Sequence, residues 1–99
     1  MTRPTKTILL SEPLRVGGKD VTELTMTKGT AGDLVDANVA AGIDFGGEPP
    51  SALVELHLYA LLCKVPAEDL RAMDTDDYEG VMAAYSFLRR EKKSRPEKT

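Results

Sequence analysis

Of the side chains suited to act as nucleophile, base or metal ligand, this 99-residue chain holds a single histidine, His57, and a single cysteine, Cys63. They stand six positions apart in a segment that reads as helix, about 600° round it and 120° from a common face. A nucleophile and its base must lie within hydrogen-bond reach, so the pair cannot serve in covalent catalysis. Cys63 sits in an apolar run and reads as a small buried hydrophobe. With no second cysteine no intramolecular disulfide forms, which suits a reducing compartment. His57 reads as an amphipathic residue at the rim of that buried segment. Asp74, Asp76 and Asp77 invite a calcium reading, but a loop begun at Asp74 puts Glu79 at position six and Tyr85 at twelve, where glycine and a bidentate glutamate are required. Helix capping accounts for the cluster instead. Gly29-Thr30-Ala31-Gly32 precedes a helix as a phosphate loop does, without the Gly-Lys-Ser/Thr or Gly-x-Gly-x-x-Gly pattern that gives such loops their chemistry. No catalytic, cofactor-binding or metal residue is assigned, and the chain is read as a non-enzyme.

Charge is distributed unevenly. Residues 1–88 hold seven basic and fourteen acidic side chains, whereas residues 89–99 hold Arg89, Arg90, Lys92, Lys93, Arg95 and Lys98 against Glu91 and Glu97, so a body of −7 carries a tail of +4. Clustered Lys and Arg attract phosphate. The acidic body, the pI of about 5.1 and the absence of an aromatic residue in the tail on which a base could stack argue against a nucleic-acid partner. The longest apolar run, residues 52–63, has ten apolar residues in twelve, interrupted by Glu55 and His57, far short of the roughly twenty a membrane span needs. Residues 1–6 are polar and only Ile8, Leu9 and Leu10 follow, so a secretory signal is not expected and the protein is placed in the cytoplasm.

The elements that position these residues follow from pattern. At 41% hydrophobic and 29% charged, the chain is apolar enough to fold around one core. Residues 7–10 and 21–26 are β-branched or aliphatic segments, with Gly17-Gly18-Lys19-Asp20 between them to supply a turn. An N-terminal hairpin or small meander is predicted. In its second strand Thr22, Leu24 and Met26 point one way and Val21, Glu23 and Thr25 the other. Two strands alone are marginal in water, so the hairpin must pack on helices or pair with another chain. Thr30 with Asp33 reads as an N-cap and a short capping box. The helix they start has Leu34, Ala37 or Asn38, and Ala41 on one face, and Gly42 is its expected terminator. Residues 43–50, with Gly46-Gly47 and Pro49-Pro50, read as a loop. The run at residues 51–64 is too apolar for one stripe and reads as a helix covered on most of its circumference. A short helix over residues 66–72 follows, with Pro66 in its first position. Tyr78, Val81, Met82, Tyr85 and Leu88 recur at three and four, predicting a helix over 75–92 that buries that face. Residues 94–99 are expected to be a disordered basic tail. The fold class is therefore α+β: a small antiparallel hairpin followed by three to four helices, in one domain over residues 1–93.

In chain order, the sequence shows a leading apolar strand, the Pro13-Leu14 step, a glycine turn, Val21 to Met26 and then Thr30-Ala31-Gly32-Asp33-Leu34. An apolar helix ending in Leu61-Leu62-Cys63-Lys64-Val65-Pro66 and the stretch from Leu70 to Tyr78 complete the series. This order resembles the phage tail assembly chaperones of Mu-like and related contractile-tailed phages, over roughly residues 7–88, although Gly29 stands where many members carry proline. The resemblance implies a binding protein of tail morphogenesis that holds the tape measure protein before the tube forms round it and is absent from the mature particle. Relatives are often made in a longer, frameshifted form whose extension recruits tube subunits; this chain corresponds to the short form.

A chaperone for a long amphipathic helix needs apolar surface that it can lend and an acidic exterior that keeps it soluble. Met73, Tyr78, Met82 and Tyr85 are the residues predicted to bind the partner, because methionine and tyrosine adapt to varied surfaces. An open sheet edge further predicts a homo-oligomer. Two other readings fit the composition: a small regulatory or inhibitory binding protein of phage or bacterial origin, and a minor structural subunit of the tail.

Overall fold

The computed structural model describes residues 3–90. Strands β1 (Thr5–Val16) and β2 (Lys19–Thr27) form an antiparallel two-stranded sheet, followed by helices α1 (Ala31–Phe45), α2 (Ser51–Cys63), α3 (Ala67–Leu70) and α4 (Thr75–Arg90). The α+β class and the hairpin-then-helices order are those the sequence predicts. The end of the last helix beyond Arg90, the domain limit at residue 93 and the basic tail lie outside the described residues.

The hairpin turns on Gly17 and Gly18 alone, at φ of 58° and 84°. A two-residue loop whose backbone twist matches that of the strands needs positive φ at both positions, which glycine adopts without a Cβ clash. The turn is tied down from outside, since the Gly17 N–H donates to Asp69 Oδ2 of α3 at 3.1 Å. Both strands run longer than their apolar segments suggest, and β1 is irregular: pairing runs from Thr5↔Thr27 to Leu9↔Glu23 and resumes at Leu14↔Val21. Four residues of β1 thus lie opposite one of β2. The slip brings Val21 to the same side as Leu14, so Val21 joins Leu24 and Met26 against the core although simple alternation sets it on the other face.

One face of the sheet supplies Ile8, Leu14, Leu24 and Met26 to the core; α2, α3 and α4 cover it with Leu58, Leu62, Leu70, Val81, Ala84 and Leu88, among others. This is the helical layer the hairpin required. At Gly80 α4 lies against β1, where a Cβ would make ordinary contact with Ile8 Cγ2 at 3.7 Å. Helix α1 is different, for it packs on α2 alone and buries only Ala37 and Ala41.

The caps explain where the helices begin and end. At the start of α1, Thr30 Oγ1 accepts from the Asp33 N–H at 3.2 Å and Asp33 Oδ2 accepts from the Thr30 N–H at 3.0 Å, the expected capping box. Arg3 adds an ion pair to Asp33 at 2.8 Å, and this contact above all holds the Asp33 carboxyl below the usual carboxylate range. The helix runs through Gly42, contrary to expectation, and ends at Gly46, whose φ is 84° and whose N–H donates to the Gly42 carbonyl at 2.8 Å. Gly42 keeps helical geometry, and a Cβ there would make ordinary contact with the Gly47 carbonyl oxygen at 3.5 Å where the chain folds back. Lys64 closes α2 in the left-handed region at φ 60°. Pro66 is the cap of α3 and not its first residue, because that helix is only four residues long.

Candidate functional site

The polar residues that invite chemistry are each taken up by structure. Asp74 caps α4, its Oδ2 accepting from the Asp76 N–H at 3.0 Å. Asp77 is not a capping residue but a strut. It is buried, and its carboxylate accepts from the Ser11 N–H and the Ser11 hydroxyl, both at 2.9 Å, and from the Glu12 N–H at 3.2 Å. These are the backbone donors that β1 turns away from its partner strand where pairing lapses, and the buried Asp77 carboxylate takes them up. The Ser11 N–H, helped by the Ser11 hydroxyl and the Glu12 N–H, holds the Asp77 carboxyl below the usual carboxylate range, outweighing the opposite effect of burial. His57 is 3.1 Å from Asp44 Oδ2, and Arg71 reaches the same oxygen at 3.7 Å. Asp44 lies at the end of α1, where the helix dipole disfavours an anion, and the Arg71 guanidinium together with the His57 contact offsets that. Cys63 is buried and its thiol pushed up to about 11 by desolvation alone, which removes it as a nucleophile. Among the described residues no group of three or more His, Cys, Asp or Glu is placed to hold a metal ion, and no helix is long and apolar enough to cross a membrane.

Among the described residues, two apolar areas bear on binding. The first is an open cleft of about 660 Å³ between the start of α2, the end of α1 and the passage from α3 into α4. Phe45, Leu53, Leu56, Leu70, Met73 and Tyr78 line it, with Asp44 and Arg71 at its mouth. Met73 and Tyr78, two of the residues predicted to bind the partner, therefore meet in one concavity. Tyr85 stands at the other end of α4 beside Leu34 and Leu58. Tyr59 links the two ends, its ring centroid 5.8 Å from Tyr78 and 5.2 Å from Tyr85 in tilted stacks. Burial pushes the Tyr59 hydroxyl up to about 12, with the Glu55 charge adding to the effect. Met82, the fourth, does not join them: it is 41% exposed. The line of α4 that faces the core is Asp77, Val81, Ala84 and Leu88, one position before the line Tyr78, Met82, Tyr85, so the predicted stripe flanks the buried one.

The second place was not singled out by sequence reasoning. On α1, Val35, Val39 and Ile43 are 60%, 57% and 78% exposed; Leu34 and Phe45 are exposed too, but lie nearer the side that meets α2. Val39 is two residues from both Ala37 and Ala41, hence about 200° round the helix from each. The row is thus centred on the side turned away from α2. The signal was present as three aliphatic residues at intervals of four; it was masked because Leu34, Ala37 and Ala41 make an equally regular stripe. Phe45 belongs to this helix and to the cleft, so the two apolar areas adjoin.

No curated protein and no solved structure matches the chain. The profile of a protein family does, the family described as phage tail assembly chaperone proteins, E, or 41 or 14, and it matches residues 7–89. That span takes in the hairpin, the capping box of α1, the apolar helix α2 and nearly all of α4, the elements on which the resemblance rested. The chain belongs to the phage tail assembly chaperone family.

Proposed function

We propose that the protein binds the tape measure protein during tail morphogenesis, acts without a catalytic step in the host cytoplasm, and is absent from the mature particle. The observation that carries this reading is the row Val35, Val39, Ile43, set on a helix that buries only two alanines against the rest of the fold. Stability does not call for large aliphatic residues there, since exposed positions contribute little to it. Apolar surface of this kind is what a chaperone lends to a segment that would otherwise aggregate. The cleft beside it, with Met73 and Tyr78, extends the same surface, and Met82 and Tyr85 would be separate contacts further along α4. In a frameshifted longer form an extension would add contacts to the tail tube protein, and an open edge of the β1–β2 sheet offers a route to a homo-oligomer.

The test is co-expression with the tape measure protein of the same genome, followed by affinity capture and a comparison of that partner's solubility with and without the chaperone. Capture and raised solubility are expected, with both lost in the variant Val35→Ser/Val39→Ser/Ile43→Ser. An insoluble, uncaptured partner would shift the reading to a regulatory or inhibitory binding protein. Mass spectrometry of purified particles is expected to lack the chain; finding it at stoichiometric level would mark it as a structural subunit.

A further inference from the structure

Between Lys28 and Lys64 the sequence contains no lysine and no arginine, yet it holds Asp33, Asp36, Asp44, Glu48 and Glu55. This interval contains α1, α2 and their connection, so the helical hairpin that displays the apolar row carries carboxylates and no Lys or Arg; Asp36 lies beside the row, Glu48 in the connection, and Glu55 on α2, where its charge acts on Tyr59 and Tyr78. The carboxylates differ in availability. Asp33 is occupied by the capping box and Arg3, and Asp44 by His57 and Arg71. Asp36, Glu48 and Glu55 are exposed and, among the described residues, enter no ion pair. Asp36 precedes Val39 by three positions and Ile43 by seven, which sets it on the same side of α1 as the row.

Charge complementarity decides what can cover such a face. A second copy laid α1 against α1 would bring carboxylates together with no cation in either hairpin to relieve them, and like charges across an interface are repelled. An acid-flanked apolar helix meets the same obstacle. A helix whose apolar stripe is bordered by Lys and Arg does not. The spacing fits as well: Val35, Val39 and Ile43 form a ridge at intervals of four along about 12 Å of axis, which packs into the matching groove of a second helix over two to three turns.

We infer that the outer face of α1 is a docking site for a basic amphipathic helix, one presenting an aliphatic stripe with Lys or Arg along the border that meets Asp36. This rests on the proposed chaperone role for the reason a partner is needed, but its geometry and charge stand independently of which protein supplies the helix.

The experiment uses the full chain and three synthetic helical peptides that share one Leu/Ile stripe and differ only in flanks of Lys, Gln or Glu, with binding read by fluorescence anisotropy at low and high salt. The Lys-flanked peptide binds best, weakening by about tenfold or more as salt rises, and the Glu-flanked peptide does not bind. Val35→Ser/Val39→Ser/Ile43→Ser abolishes binding of the Lys- and Gln-flanked peptides while thermal unfolding stays at the wild-type temperature. Asp36→Asn weakens the Lys-flanked peptide toward the level of the Gln-flanked one and reduces its salt dependence. Equal binding of Lys- and Glu-flanked peptides, no binding of any peptide, or full binding by the serine variant overturns the inference. So does a wild-type dimer in sedimentation that the serine variant abolishes, which would name a second copy as the occupant. If the tape measure protein is not captured but the Lys-flanked peptide binds α1, the chaperone reading fails and the docking site stands; capture without peptide binding has the reverse meaning.

Discussion

Asp77 shows how one side chain can carry a function that its neighbours in sequence disguise. Among four polar residues at a helix start it reads as a cap, yet it reaches across 66 positions to Ser11 and holds the stretch of β1 that has left the sheet. Its carboxyl is held low in the folded state, so its contribution is fully present above the unfolded value of about 3.9 and is lost as pH falls through the lower folded value. Asp77→Asn should lower the melting temperature at neutral pH by several degrees and flatten the fall of stability below about pH 4, leaving the part due to Asp33. Parallel acid limbs in wild type and variant would show that the carboxylate charge does not matter there. Cys63 makes a second prediction at this scale. With its thiol near 11, about one molecule in a thousand is thiolate at pH 8, so a disulfide reagent should react only after denaturant opens the fold. Rapid labelling of the native chain would contradict the burial described. Leu70, 1% exposed, marks the other extreme from the α1 row: Leu70→Ala should cost about 2–5 kcal/mol, while Val39→Ser should leave the unfolding transition almost unmoved.

At the scale of elements, what could be read in advance was what depends on local chemistry. Gly17-Gly18 specifies its turn, and Thr30 with Asp33 specifies its cap, because each acts on backbone within a few residues. The irregularity in β1 was not legible, since its acceptor comes from a helix 65 and 66 residues away. Helix α1 overran Gly42 for a related reason: glycine permits a left-handed terminator without requiring one, and Gly46 takes that role. Gly42→Ala should therefore stabilise the protein by about 0.5–1 kcal/mol, raising the melting temperature by a few degrees, as a helix-interior glycine gives way to the best helix former. A fall instead would mean that the fold-back of Gly47 over Gly42 does not tolerate a methyl group. The candidate site was half legible. Met73 and Tyr78 meet in the cleft, whereas Met82 stands outside because the core lies one residue earlier on α4, a 100° difference that an apolar count cannot resolve.

For the molecule as a whole, the contacts are uneven in a way that separates stability from binding. The sheet, α2 and α4 share the large buried side chains, while α1 holds on through Ala37 and Ala41 and its cap. Local opening takes the lowest-energy route available, so amide exchange should release α1 well before α2 and α4, at a free energy below that of global unfolding. If α1 exchanged only with the rest of the protein, its attachment would be stronger than its packing implies. Peptide docked on the outer face should slow α1 exchange specifically, since a partner that binds the closed form opposes opening.

The strut from Asp77 to Ser11 also sets an order in time. Synthesis delivers β1 and β2 first, but the apolar face formed by Ile8, Leu14, Leu24 and Met26 has no complete cover until α4 has emerged, and the irregular part of β1 has no acceptor until Asp77 arrives. A two-stranded hairpin does not hold by itself. The nascent chain therefore stays open until α4 leaves the ribosome, and then closes in one step that joins β1 to α4.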